Sequence, residues 1–129
     1  MTTQEVTEEI ILENRQDLIE FLKTTKYEYI MLKFFADWCG PCNKISPFVN
    51  NLADEKIKTN SNFIFIEVNV DECFDLYAFL KKQKMIKGIP SIFLYKKEIL
   101  NNIDLEHYYI PQSSISGTNE SEIKKIFNF

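Results

Sequence analysis

Apolar and polar positions alternate along the chain with two different periods, one typical of strands and the other of helices. Continuous apolar runs, in which both faces would be buried, are typical of the central parallel strands of a sheet. The sequence predicts a short first strand followed by three longer ones. These strands are residues 10–12, 29–36, 63–70 and 91–95.

Between these strands, apolar residues recur at helical spacing. Asn14 is a predicted N-cap, with Asp17 in the first turn ahead of the apolar positions. A second helix is predicted over residues 41–57 and a terminal helix over residues 119–127. The apolar residues at helical spacing in the first and third helices are Leu18, Ile19, Phe21, Leu22, Leu76, Phe79 and Leu80.

This order of strands and helices predicts an α/β fold. Parallel strands joined by crossover helices, then a late hairpin and a terminal helix, give a four- or five-stranded mixed sheet flanked by helices on both faces. With 129 residues, the chain can bury one core around one sheet, so we expect a single domain over residues 1–129.

Composition narrows the classes of protein and partner. A hydrophobic content of 45% with 14% aromatic residues excludes a disordered chain, and no apolar run approaches the length of a membrane span. A net charge of −4 without a basic patch argues against nucleic acid or an anionic membrane as a partner.

Residues 1–9 are polar and acidic, so we expect no secretory signal. Three cysteines also suit a reducing compartment, which predicts a cytoplasmic location.

Two thiols three positions apart follow the predicted strand 29–36. If the chain turns into a helix at Gly40 and Pro41, Cys39 lies at the helix start, where free N–H groups and the helix dipole favour a thiolate. Cys42, one turn further along, then stays protonated. The pattern predicts an exposed nucleophile and a shielded resolving thiol. A zinc site is the alternative, but the further ligands on offer are only Cys73 and His107, so we expect no bound metal.

The motif resembles the active-site sequence of the thioredoxin family, over roughly residues 8–127. Pro47 in the following helix, the strand end at residues 69–71 and the later run 88–90 agree with that family. The residues of the motif are Trp38, Cys39, Gly40, Pro41 and Cys42.

The resemblance implies the thioredoxin fold and a thiol-disulfide oxidoreductase that reduces protein disulfides through a mixed disulfide. The redox-active group would be the Cys39–Cys42 disulfide, and the protein would need no bound cofactor. The resemblance also implies an NADPH-dependent thioredoxin reductase and oxidised client proteins as partners, and we expect a monomer. Two alternatives stay open: a disulfide isomerase or oxidase, and a redox-indifferent adaptor with the same fold.

Pro90 matches the cis-proline that the family places beside its active site. An extended substrate segment can pair with backbone groups there. The alternative is a trans proline that only begins a strand. The candidate substrate-binding residues are therefore Trp38, Gly40, Pro41, Gly88, Ile89 and Pro90.

Lys33 and Glu67 interrupt two otherwise apolar strands, where an unpaired charge is costly to bury. In the thioredoxin family the position of Lys33 usually carries a buried acid that assists proton transfer, and a lysine often stands at the position of Glu67. We predict that the two residues form a reversed ion pair across neighbouring strands. Either Glu67 accepts the Cys42 proton, or Lys33 stabilises the thiolate and weakens the reductant. The alternative is a Lys33 whose amine escapes to solvent.

Two further features have open roles. Cys73 begins the third helix and is either a site of regulatory oxidation or, as we favour, a partly buried thiol without a redox role. Residues 101–116 are longer than the family requires. They either extend the substrate-facing side or form a surface insertion, and His107 within them has no predicted role.

Overall fold

A computed structural model of the protein describes residues 10–129. A short 3-10 turn, Leu105–His107, precedes the last strand. The strands and α-helices of this part of the chain are α1 (Arg15–Thr24), β1 (Tyr29–Phe35), α2 (Gly40–Thr59), β2 (Phe63–Asn69), α3 (Phe74–Lys82), β3 (Ser91–Lys96), α4 (Lys97–Leu100), β4 (Ser113–Ser116) and α5 (Glu120–Ile126).

The strands form one mixed sheet in the order β2-β1-β3-β4. β1 pairs with β2 in parallel and with β3 in antiparallel orientation, and β3 and β4 form the predicted late hairpin. Because β1 is central and parallel to β2, its carboxyl end and that of β2 lie at the same edge of the sheet. The predicted α/β fold with a mixed sheet is confirmed.

The predicted strand at residues 10–12 is wrong. These residues have no strand pairing. Leu12 is buried in the core, and the carbonyl of Glu13 accepts a hydrogen bond from the Leu76 N–H of α3 at 2.9 Å. The segment therefore binds to a helix instead of a sheet edge. The expectation about a secretory signal concerns residues 1–9, which lie outside the described part of the chain.

Helices cover both faces of the sheet. On one face, α1 and α3 contribute Leu18, Leu22, Leu76 and Leu80 to a core cluster. On the other face, α2 and α5 contribute a second cluster, so the sheet is buried between two helical layers. The members of the second cluster that come from helices are Ile45, Val49, Ala53, Ile123 and Ile126.

Asparagine side chains cap two of the helices, and the cap at Asn14 was predicted. The Asn14 side chain accepts a hydrogen bond from the Asp17 N–H at 2.9 Å, and Asn119 caps α5 in the same way through the Glu122 N–H. The helix predicted over residues 41–57 spans Gly40–Thr59. No helix among residues 10–129 is long and apolar enough to cross a membrane.

Within residues 101–116, the part 105–109 lies against the α1 and α3 side of the molecule. Tyr108 is buried there, and the fully buried phenol of Tyr95 donates a hydrogen bond to the Tyr109 carbonyl at 2.7 Å. The Tyr109 ring also contacts Phe79 of α3. Since Tyr95 pairs with Ile30 near the amino end of β1, residues 105–109 are anchored away from the carboxyl end of that strand. The end of the longer segment returns to the site, because Ser116 of β4 pairs with Ser91 next to Pro90.

Candidate active site

Cys39 is the N-cap of α2, at the turn that follows the carboxyl end of β1. Its N–H donates to the Ala36 carbonyl at 3.1 Å, and its sulfur accepts from the Cys42 N–H at 3.1 Å. The two cysteines are joined by a disulfide. The predicted position of Cys39 at a helix start is confirmed, and the same N–H that contacts its sulfur can stabilise a thiolate in the reduced protein.

The prediction of an exposed Cys39 is wrong for this oxidised form. Cys39 is 4% exposed and Cys42 is 2% exposed. The Cys39 sulfur turns inward because it is bonded to Cys42 and caps the helix, and the carbonyl oxygen of Ile89 lies 4.0 Å from it. Access to the sulfur is therefore limited in the disulfide state.

The segment 88–90 lies beside the disulfide, as predicted. The Ile89–Pro90 bond is cis, which confirms the match to the cis-proline of the family. The Ser91 hydroxyl donates to the Gly88 carbonyl at 2.6 Å, and the Pro90 carbonyl accepts from the Gly117 N–H at 2.9 Å. These bonds fix the backbone of the segment next to the Cys39 sulfur.

The candidate substrate-binding residues differ in exposure. Trp38, Gly40 and Pro41 are exposed, Gly88 and Ile89 are half-buried, and Pro90 is buried. Pro90 can therefore act only through its backbone or by shaping the segment. Trp38, Gly40 and Pro41 form the accessible side of the site, and Ile89 is the nearest half-buried neighbour.

The indole N–H of Trp38 donates to the Asp71 carboxylate at 2.8 Å. The Asp71 N–H in turn donates to the Asn69 side-chain oxygen at 2.9 Å. Sequence reasoning used Asp71 only as part of a family motif and missed this contact. The signal was present, since a tryptophan N–H near polar groups usually finds an acceptor.

Lys33 and Glu67 form the predicted ion pair. Lys33 Nζ lies 3.3 Å from Glu67 Oε1, and the two residues are directly paired across β1 and β2. The Lys33 side chain is 3% exposed, so the alternative of an amine that escapes to solvent is wrong, whereas Glu67 is 45% exposed. The reversed charge pair thus has a buried cation and a carboxylate that still contacts water.

Two further residues, Ser46 and Asn50, complete the surroundings of Lys33, and the sequence analysis did not identify them. Lys33 Nζ donates to Ser46 Oγ at 3.1 Å and to Asn50 Oδ1 at 3.5 Å. Both belong to α2, where Cys42, Ser46 and Asn50 follow one another at intervals of four. Residues at this spacing share one helix face. The Lys33 ammonium is therefore anchored to the same helix face as Cys42, beginning one turn beyond it.

Cys73 is separate from this site. It is buried, and burial raises the pKa of its thiol, with a smaller opposing effect from a hydrogen bond to the Leu12 backbone. A buried thiol with a raised pKa is a poor nucleophile. The interpretation of Cys73 as a buried thiol without a redox role is supported.

His107 has neighbours that the sequence did not reveal. Among residues 10–129, one group of metal-ligating side chains lies close together, formed by Asp104, Glu106 and His107 with ligand atoms within 4.8 Å of one another. All three side chains are exposed, and the group includes neither Cys39 nor Cys42. It takes no part in the dithiol site.

Comparison with known proteins agrees with this geometry. The profile of the family described as Thioredoxin matches residues 4–116. The chain is 34% identical to the thioredoxin of Mus musculus over 87 residues, which is 67% of this chain and 75% of the mouse protein. It is 30% identical to thioredoxin 1 of Plasmodium falciparum over 99 residues, 77% of each chain.

A solved structure shows the same fold. The X-ray structure of Fasciola hepatica thioredoxin matches with a TM-score of 0.63 and 25% identity, and the match covers 92% of this chain and 95% of that one. The family profile, the sequence relatives and the helix-capping disulfide agree, and the chain belongs to the thioredoxin family.

Proposed function

We propose that this protein reduces disulfides of client proteins, with Cys39 as the nucleophile and Cys42 as the resolving thiol. Its family and its cysteine pair make it a thiol-disulfide oxidoreductase. The observation that carries the assignment of roles is the Cys39 sulfur at the N-cap of α2, in contact with the Cys42 N–H. Of the two cysteines, Cys39 is the one at the helix start, where a thiolate is stabilised.

The reaction proceeds in two exchange steps. The Cys39 thiolate attacks one sulfur of the client disulfide, forms a mixed disulfide and releases the other client sulfur as a thiolate. Cys42 loses its proton and attacks the Cys39 sulfur, which releases the second client thiolate and forms the Cys39–Cys42 disulfide. Two electrons pass from the protein dithiol to the client. The oxidised state formed is the one seen in the structure.

Within this scheme, we assign Lys33 the task of stabilising negative charge near Cys42. Its ammonium is almost fully buried and is held on the α2 face that carries Cys42. A buried cation favours the thiolate of a neighbouring cysteine and so favours the reduced state. Glu67 is a positioning residue, because its carboxylate holds the Lys33 ammonium from the side of β2. The protein would then be a weaker reductant than relatives with an acid in place of Lys33.

The substrate segment is proposed to pair with the backbone beside Cys39. Ile89 is half-buried with its carbonyl 4.0 Å from the Cys39 sulfur, and the adjacent side of the site is open at Trp38, Gly40 and Pro41. An extended client segment that crosses this region can use backbone hydrogen bonds, which are independent of its sequence. Gly88 and Pro90 hold Ile89 in place.

Family membership supports the remaining partners. The oxidised protein is regenerated by a dithiol reductant, which we propose to be an NADPH-dependent thioredoxin reductase, and its clients are oxidised proteins. The chemistry requires only the two sulfurs, so we propose that the protein works without a bound cofactor. We further propose a cytoplasmic location and a monomeric state.

A disulfide isomerase or oxidase and a redox-indifferent adaptor are less favoured. An adaptor has no need of two cysteines joined at a helix N-cap. An oxidase would require a reduced form stabilised far more strongly than one buried cation provides.

An insulin-reduction assay with dithiothreitol as electron source tests the function. The wild-type protein is expected to accelerate insulin precipitation, and Cys39→Ser and Cys42→Ser to abolish the acceleration. Cys73→Ser is the matched control and is expected to retain it. A wild-type protein no faster than dithiothreitol alone would refute the proposed function.

A further inference from the structure

Two aromatic side chains stand out from the surface of the described residues. Trp38 is 69% exposed and Phe74 is 65% exposed, more than any other large apolar side chain among residues 10–129. Trp38 precedes the nucleophile Cys39, and Phe74 is the first residue of α3. Exposed aromatic residues beside a reactive centre are typical of surfaces that bind a partner.

Phe74 lies near the residue that accepts the hydrogen bond of the Trp38 indole. The Trp38 indole N–H donates to the Asp71 carboxylate. Phe74 follows Asp71 by three positions, so the Cα atoms of Asp71 and Phe74 are at most about 11 Å apart. The intervening turn is fixed, since the N–H groups of Glu72 and Cys73 both donate to the Asn69 carbonyl, at 3.1 and 2.8 Å. Trp38 and Phe74 therefore both follow the carboxyl ends of the parallel strands β1 and β2, at the edge of the sheet where the dithiol lies.

Phe74 is exposed although the start of α3 is packed against the core. Cys73 directly before Phe74 and Leu76 two positions after it are buried in the core, so α3 begins firmly packed and presents Phe74 outward. The exposed ring is thus not part of a loosely attached turn.

Acidic residues surround this aromatic edge. The segments 36–43 and 69–75, which include the first residues of α2 and α3, carry four exposed carboxylates and neither lysine nor arginine. Lys44 directly follows the first segment, and the exposed Lys87 precedes Gly88 on the segment beside the Cys39 sulfur. The four carboxylates belong to Asp37, Asp71, Glu72 and Asp75.

We propose that Phe74 and Trp38 form an apolar docking edge that selects client segments. The segment that fits carries an apolar side chain next to the attacked cysteine, and basic residues that face the four carboxylates. Phe74 is the specificity-determining residue in this proposal, which rests on the proposed disulfide reductase function. An apolar client side chain would cover the Phe74 ring while the client backbone lies along Ile89.

Two synthetic peptide disulfides test the selection. One carries leucine and lysine around its cysteines, and the other carries serine and glutamate at the same positions. Bis(2-hydroxyethyl) disulfide serves as a substrate too small to reach Phe74. The variant is Phe74→Gln, with Phe74→Leu as the conservative change. Ile99→Gln is the matched control, because Ile99 is also exposed and follows β3 at the end of the sheet far from Cys39.

The wild-type protein is expected to prefer the leucine–lysine peptide, and added salt to reduce that preference. Phe74→Gln should raise KM for this peptide about tenfold with little change in kcat and no change for the small disulfide. Phe74→Leu should restore most of the loss, and Ile99→Gln should behave as wild type.

Equal kinetics of Phe74→Gln and wild type on the leucine–lysine peptide would overturn the proposal. A matching loss in Ile99→Gln would do so as well, because it would reveal a general effect of polar substitution. If the wild-type protein reduces neither insulin nor either peptide, the reductase function itself fails and the inference fails with it.

Discussion

Lys33 and Glu67 face each other directly across β1 and β2, with 3.3 Å between the ammonium nitrogen and a carboxylate oxygen. The Lys33 ammonium also binds Ser46 and Asn50 on α2. The three contacts join two strands of the sheet to the helix that begins at the redox site. The polar groups lie between the sheet and α2, on the helix face that carries Cys42 one turn earlier.

The two members of this pair should contribute differently to stability. Glu67→Gln leaves a buried cation without its counter-charge and is expected to lower the free energy of unfolding by about 1–2 kcal/mol, since Ser46 and Asn50 still accept from it. Lys33→Met removes the buried charge and leaves a half-exposed carboxylate, so a change near zero or a gain is expected. Urea unfolding measures both values.

Glu55→Gln is the control for the loss of a charge pair. Glu55 and Lys58 form an exposed pair at 4.0 Å, which should contribute less than about 0.5 kcal/mol. Equal losses in Glu67→Gln and Glu55→Gln would show that burial of Lys33 does not matter.

Lys33 should also raise the reduction potential of the dithiol. Removal of its charge in Lys33→Met destabilises thiolate and is expected to shift the potential by about −30 mV, a tenfold change in the equilibrium with glutathione. The exposed Lys44 lies on the same helix, and Lys44→Met should have a smaller effect because solvent screens its charge. Equilibration with a glutathione redox buffer measures the three potentials.

A different set of results would indicate that Glu67 accepts the proton of Cys42. In that case Lys33→Met would leave the potential unchanged, and Glu67→Gln would slow release of the client from the mixed disulfide. Stopped-flow tryptophan fluorescence of Trp38, the single tryptophan of the chain, follows that step.

Features with a local signal were predicted from the sequence. The N-cap Asn14, the helix start at Cys39 and the pairing of Lys33 with Glu67 all depend on residue type and spacing along one or two elements. Features that depend on long-range packing were not predicted from the sequence. Burial of the Cys39 sulfur requires Ile89, 50 positions away, and the absence of a strand at residues 10–12 requires the contact between Glu13 and Leu76.

Tyr95 should make the protein sensitive to alkali. Its burial raises the pKa of the phenol above the ordinary value, so the folded state keeps a proton that the unfolded state loses above about pH 10. The stabilisation that comes from this raised pKa is complete below about pH 10. The free energy of unfolding falls as the pH rises beyond that value. Tyr95→Phe should therefore show a flatter decline at alkaline pH.

The same substitution has a cost near neutral pH. Tyr95→Phe leaves the Tyr109 carbonyl without its donor, which should cost about 1 kcal/mol. Urea unfolding near neutral pH and above about pH 10 gives both quantities for the variant and the wild type. Parallel pH profiles of the two proteins would contradict the assignment to Tyr95.

Cys73 should resist alkylation in the native protein. Burial raises the pKa of its thiol and limits access, so the reactive thiolate is scarce near neutral pH. After reduction, iodoacetamide is expected to label Cys39 first and to leave Cys73 unmodified until urea unfolds the chain. Peptide mass spectrometry distinguishes the sites, and labelling of Cys73 at a rate like that of Cys39 would contradict the prediction.

Cys42→Ser should trap clients covalently. The substitution keeps Cys39 and the backbone N–H of residue 42 that contacts its sulfur, so the first exchange step proceeds. The second step cannot, because a serine hydroxyl does not attack the mixed disulfide. We expect the variant to accumulate client adducts that dithiothreitol releases, and Cys39→Ser to accumulate few. Adducts of equal yield in both variants would mean that Cys39 is not the nucleophile. Non-reducing electrophoresis and mass spectrometry measure the yield and identify which client cysteine is attached.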